Sequence, residues 1–199
     1  MGLTPVPDDH VATVVTALEM RTKPLNRPLP QSRLRLAHWR APSPAAYRAL
    51  FARVGAPWLW FSRLALSDAQ LSTIIARTDA SIHAVVDPAG IEVGMLELER
   101  AAPDTCRIAY FGLIPDLAGQ GHGRWLMAHA LALGWGRGVT RMVVNTCTLD
   151  HPRALGFYRA QGFVAVARTL ETFLDPRITG LLPADAAPQV PLLGAASRL

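Results

Sequence analysis

Three glycines at alternate positions, Gly119, Gly121 and Gly123, follow an apolar stretch and open directly into a helical pattern. No other part of the chain restricts its backbone so strongly. Residues 107–114 (RIAYFGLI) carry the aromatic and branched apolar side chains of a buried strand. Pro115 ends that strand, because proline cannot donate to a ladder. The alternating glycines let the backbone turn tightly and approach a ligand, leaving unpaired N–H groups at the mouth of the next helix. Such a mouth binds anions.

Two familiar anion-binding patterns do not fit. A P-loop needs Lys followed by Ser or Thr after its last glycine, and here Arg124 and Trp125 stand there. A Rossmann turn comes directly off its strand and has an acidic residue about 20 positions later. Here residues 115–118 intervene, and the later stretch reads Val143, Val144, Asn145. A third pattern uses the downstream half. Residues 141–149 form a strand, Asp150, His151 and Pro152 start a helix, and Ala154, Tyr158, Gly162 and Phe163 follow.

These paired blocks resemble the GNAT superfamily of acyl-CoA-dependent N-acyltransferases. That family ends a strand with an apolar residue two before a proline, continues with Arg/Gln-x-x-Gly-x-Gly/Ala, and later shows Asn-x-x-Ala-x-x-x-Tyr-x-x-x-Gly-Phe. Leu113 and Pro115 match the strand end, Gly121 and Gly123 the loop, and Ala154, Tyr158, Gly162 and Phe163 the second block. Two positions depart: Ala118 replaces the usual Arg or Gln, and His151 the usual Asn. The resemblance covers roughly residues 80–173.

A chain of 199 residues, half of them apolar, can bury a substantial core. Three stretches are read: 1–30, an N-terminal strand and irregular connection that joins the domain; 31–173, the acyltransferase domain; and 174–199, a Pro/Ala/Leu-rich tail. No apolar run reaches the 18 or more residues of a membrane span, and no basic segment followed by an apolar one opens the chain, so the expectation is a cytoplasmic protein without membrane attachment. Cys106 and Cys147 make no disulfide framework and no metal-ligand spacing. The net charge of +5 is scattered, which argues against nucleic acid and suits an acidic small ligand such as coenzyme A.

Along the chain, residues 11–20 and 33–39 read as strands that pair as a hairpin across the proline-rich residues 23–30. Ser43 before Pro44 starts a helix that stops at Gly55, and Ser67 with Gln70 makes a capping box for a second helix. Residues 83–86, 93–100 and 107–114 form a meander. A helix, a strand, a helix over 152–160 with Asp150 as its N-cap, and a last strand over 163–173 follow. Strand-helix-strand units imply parallel neighbours, so the fold class is α+β, with a GNAT-like mixed central sheet flanked by helices. The tail packs on the body or on a partner subunit, and a homodimer is among the expectations.

The resemblance also implies site roles. The splayed strand before the loop supplies backbone N–H groups to the reacting carbonyl and pairs with the pantetheine arm of acetyl-CoA. Phe111, Gly112 and Leu113 occupy that place, Gly112 suiting either a bulge or close packing. The pyrophosphate lies on the N–H groups of Ala118, Gly119, Gln120, Gly121, His122, Gly123 and Arg124, with the Arg124 side chain as a positive neighbour and the His122 side chain pointing away or touching a phosphate. Tyr158 falls on the position that protonates the departing thiolate. His151 contacts the cofactor arm through a ring N–H, acts as a base, or simply begins the helix.

Deprotonation of the amine is needed, since a lysine-like amine has a pKa of about 10.4. Alternation places Glu97 and Glu99 on one strand face, as a base or as a solvated pair, and Tyr110 lines the cleft from the next strand. Trp58, Trp60 and Phe61 shape the acceptor pocket or belong to a core or interface. The function implied is transfer of an acetyl group from acetyl-CoA to a primary amine on a small molecule or peptide, directly in a ternary complex. A non-catalytic acyl-CoA sensor and an interaction protein are the alternatives.

Overall fold

A computed structural model of the chain describes residues 2–25 and 28–193. Eleven regular elements follow in order: β1 (His10–Met20), β2 (Arg35–His38), α1 (Pro44–Gly55), α2 (Asp68–Ile75), β3 (Ala80–Val86), β4 (Glu92–Ala102), β5 (Thr105–Leu113), α3 (His122–Gly134), β6 (Arg141–Cys147), α4 (Ala154–Ala160) and β7 (Val164–Leu174). They build one seven-stranded mixed sheet in the order β2-β3-β4-β5-β6-β1-β7. Only β5 and β6 pair in parallel; every other ladder is antiparallel.

The helices follow from local chemistry. The Ser43 hydroxyl accepts the N–H of Ala46 at 3.2 Å, and Pro44 sits in the first turn, where its missing donor costs nothing. Tyr47, Leu50, Phe51 and Val54 then recur at helical spacing and are all buried, each burial stabilising by about 1.5–3 kcal/mol. The capping box of α2 closes both ways, between Ser67 and Gln70. The sheet is thereby covered twice. On one face α1 and α2 pack against Ile82, Ala84 and Met95; on the other, Leu126, Met127 and Ala130 of α3 pack against Leu96, Leu98, Ile108 and Val144.

The expected hairpin of the first two strands does not form. β1 inserts between β6 and β7, whereas β2 lies at the opposite edge against β3. Its alternating Val11, Thr13, Leu18 and Met20 are buried in that central slot, and the prolines between β1 and β2 act as a connector rather than a tight turn. The connection over residues 23–30 lies partly outside the described residues; its far end is pinned where the Ser32 hydroxyl meets His122 Nδ1 at 2.9 Å. The tail through residue 193 folds back on the body, with Leu182, Ala186 and Ala187 buried against Val11 and Leu59. No helix among the described residues is long and apolar enough to cross a membrane.

Candidate active site

The site begins where one ladder stops. The parallel pairing of β5 with β6 runs from Thr105↔Arg141 to Ile108↔Val144 and goes no further, although both strands continue. At that point the β4–β5 register shifts, so that Glu97 opposes Tyr110 and Leu98 opposes Ile108, leaving Ala109 as an extra residue. Such a bulge bends its strand, and here it opens a wedge between β5 and β6. The bulge falls at Ala109 rather than at Gly112. Gly112 is instead a close-packing glycine: a Cβ there would stand 2.6 Å from Val54 Cγ1 and 3.2 Å from Trp60 Cη2.

The wedge is a cleft of about 320 Å³. Ile114 donates its N–H to Val93 O at 2.9 Å, so by antiparallel alternation Gly112 also faces β4, while the N–H groups of Phe111 and Leu113 point into the cleft. Ala118, Gly119 and Gly123 border it above, and Trp58, Trp60, Tyr110, His151 and Tyr158 line its sides.

The glycine turn gathers unpaired backbone donors at the mouth of α3. Gly119 and Gly121 adopt φ of +77° and +85°, which only glycine enters freely. Ala118 donates to Pro115 O at 2.8 Å and Arg124 to Gly121 O at 3.1 Å, so these two N–H groups are already used. The N–H groups of Gly119, Gln120, Gly121, His122 and Gly123 have no acceptor among the described residues. The turn therefore offers five unpaired amides rather than the seven expected. Arg124 is exposed, with its guanidinium beside Gly121. The buried His122 ring is turned away toward Ser32.

Tyr158 is packed edge-on against Phe111 and Phe163, with centroids 6.1 and 6.0 Å apart. Burial, reinforced by the nearby Asp150 charge, holds its phenol well above the usual range, so it is a proton carrier at neutral pH. Asp150 does not cap α4. Its Oδ2 turns back to accept the Thr146 hydroxyl at 2.7 Å and the Cys147 N–H at 2.9 Å, closing the end of β6. His151 holds the turn just before the helix, whose N-cap is Arg153: its Nδ1 accepts the Arg153 N–H at 3.1 Å, and its ring meets Trp58 edge-on at 5.5 Å. Burial pushes the Cys147 thiol up, and Asp150 adds to this, which is the opposite of what a nucleophile requires.

The glutamates lie elsewhere. Glu97 is 1 % exposed, far from a solvated pair; its two oxygens accept Tyr47 Oη at 2.5 Å and Arg63 Nη2 at 2.8 Å. Glu99 sits at the surface between Arg77 and Arg107. Neither borders the cleft. Phe61 also leaves it, packing on Phe173 at 4.7 Å, whereas Trp60 packs 5.3 Å from Tyr110, whose hydroxyl meets Ser62 Oγ at 2.6 Å. Asn145, Arg153 and Phe157 line the cleft without having been anticipated. Asn145 alone carried a signal, as a polar residue within an apolar strand. Among the described residues no cluster suits a metal ion.

Comparison with known proteins places this geometry. The model of the acetyltransferase (GNAT) family matches residues 35–163. A search of curated protein sequences finds no match. Among solved structures, an IAA acetyltransferase from Bacillus cereus superposes with a TM-score of 0.51 at 20 % identity, covering 67 % of this chain and 79 % of its own. A GCN5-related N-acetyltransferase from Sphaerobacter thermophilus gives 0.56 at 15 %, covering 81 % and 51 %. A functionally unknown conserved protein from Staphylococcus epidermidis gives 0.55 at 14 %, covering 83 % and 63 %, so the chain spans less than two thirds of the length of some of these structures. These superpositions show a shared fold. With the family model matched over most of its length and the opened strand pair in place, the chain belongs to the GNAT acetyltransferase family.

Proposed function

We propose that the protein transfers an acetyl group from acetyl-CoA to a primary amine, directly between the two bound substrates. The observation that carries this reading is one cleft that brings together the glycine turn, through Gly119 and Gly123, two inward strand N–H groups and a protonated tyrosine.

The residues fit the donor substrate. The amides of Gly119 to Gly123 and the cation of Arg124 suit its pyrophosphate, since helix mouths favour anions and the side chain lost at Ala118 is not needed for backbone binding. Phe111 and Leu113 suit the amide-bearing arm, which adds to the free edge of β5 as a strand would. In the reaction the amine nitrogen bonds to the carbonyl carbon while the carbon–sulfur bond breaks. The inward N–H groups stabilise the developing oxyanion. Tyr158 gives its proton to the leaving sulfur. The amine's proton leaves through water in the cleft, because neither Glu97 nor Glu99 reaches it. The acceptor sits toward Trp58, Trp60 and Tyr110.

One observation favours a second reading. Among the described residues Asp150 is the only carboxylate on the cleft, and it is held by Thr146 and Cys147, as suits a sensor that binds acyl-CoA without turnover. Calorimetric titration of acetyl-CoA into wild type and Gly121→Trp, followed by thiol release against an amine panel, separates the two. Binding lost in the variant together with turnover by wild type supports the transferase. Binding without turnover supports the sensor, and no binding removes both.

A further inference from the structure

The C-terminal residues 175–191 are folded around one buried cation. Arg177, with its side chain 2 % exposed, pairs with Asp175 at 2.7 Å and donates to the carbonyls of Ala186 at 3.2 Å and Val190 at 2.8 Å. A guanidinium can hold a carboxylate and several carbonyls at once because its five donors are fixed in one plane. This hub ties a stretch with no helix or strand into a defined shape.

That shape grips the acceptor side of the cleft on both flanks of one residue. On one flank, Gln189 Nε2 donates to Pro57 O at 2.7 Å. On the other, Leu59 is buried among Leu182, Ala186 and Ala187. Leu59 has a φ of +54°, a left-handed conformation that costs a non-glycine residue about 1–2 kcal/mol and persists only where the surroundings impose it. Between the two lies Trp58, whose ring reaches the cleft and meets His151. The turn carrying Trp58 shares no hydrogen bond with the glycine loop or α3 among the described residues, and the edge contact of its ring with His151 is its link toward the rest of the cleft.

We propose that residues 175–191 are a clamp that sets the position of the Trp58 wall, which makes Arg177 and Gln189 positioning residues for the acceptor. The inference rests on the transferase reading for its kinetic consequence and on geometry alone for its mechanical one.

Gln189→Ala removes an exposed side chain and leaves the core intact; Arg177→Lys keeps the charge beside Asp175 but cannot span both carbonyls. Hydrogen exchange followed by mass spectrometry should show residues 56–63 exchanging about tenfold faster in both variants, with α3 within about twofold of wild type. Unchanged exchange at 56–63, or equal acceleration in α3, overturns the clamp. With the amine found in the thiol-release assay, the KM for that amine should rise about fivefold while the KM for acetyl-CoA stays within about twofold. A parallel rise in both overturns the kinetic assignment. The exchange experiment uses no substrate, so its outcome stands apart from the fate of the transferase reading.

Discussion

His151 Nδ1 accepts the backbone N–H of Arg153 across 3.1 Å, the bond an asparagine oxygen would make at the same position. A backbone N–H only donates, so Nδ1 carries no proton and Nε2 keeps the ring's one N–H as a donor. The residue that departs from the family pattern thus makes a turn of the kind an asparagine side chain can make. His151→Asn is expected to keep the affinity for coenzyme A within about twofold, whereas His151→Ala loses about 1 kcal/mol, or roughly fivefold. Calorimetry with coenzyme A reads both.

Tyr158→Phe removes only the phenolic hydroxyl from a ring already fixed by Phe111 and Phe163. On the proposed mechanism kcat falls about 10²-fold with little change in acetyl-CoA affinity. An unchanged kcat at saturating substrates would remove Tyr158 as the proton donor.

Glu97→Gln tests whether that carboxylate is structural. Loss of its charge leaves the Arg63 guanidinium buried without a counter-ion, and breaking a buried pair costs about 3–5 kcal/mol when one partner goes. A marked fall in Tm is expected, with the shape of the pH–rate profile unchanged in the protein that remains folded. A lost acidic limb would instead show that Glu97 takes the proton.

His83 makes stability depend on acid. It stacks on His38 of β2 at 4.9 Å, its Nδ1 has no partner among the described residues, and burial, followed by the charge of His38 and of His129 on α3, lowers its pKa to about 4. The unfolded chain takes up the proton near pH 6.5, so between those values the unfolded state binds more protons. Stability is full above about pH 6.5 and declines by up to roughly 3 kcal/mol as pH falls to about 4. Denaturant titrations across this range should show the decline and its loss in His83→Gln.

Gly112→Ala places a methyl group 2.6 Å from Val54 and beside Trp60. Overpacking of this kind costs about 1–3 kcal/mol. The Tm should fall, and the displaced Trp60 ring should alter the near-ultraviolet circular dichroism.

Much of this was legible in the chain. The caps at Ser43 and Ser67 name their helices because capping is settled within four residues, and the alternating glycines name the tight turn because positive φ is a local demand. The paired motifs also carried Tyr158 and the strand end at Leu113 into one cleft. What local pattern could not reach was partnership. Alternation put Glu97 and Glu99 on one face, yet whether a carboxylate meets water or Tyr47 and Arg63 depends on elements 34 to 50 residues away. The same holds for β1, whose apolar alternation suits any half-buried slot; only the vacant position between β6 and β7 decided which one it fills. The opening of the cleft is likewise tertiary, because Ala109 becomes a bulge only through the register that β4 imposes on β5. Sequence by itself determined most of the elements, the caps at Ser43 and Ser67 and the tight glycine turn, all set by short-range sterics and hydrogen bonds. The tertiary structure alone decided the strand order, the burial of Glu97 and the clamp around Arg177, because each depends on which distant surfaces meet.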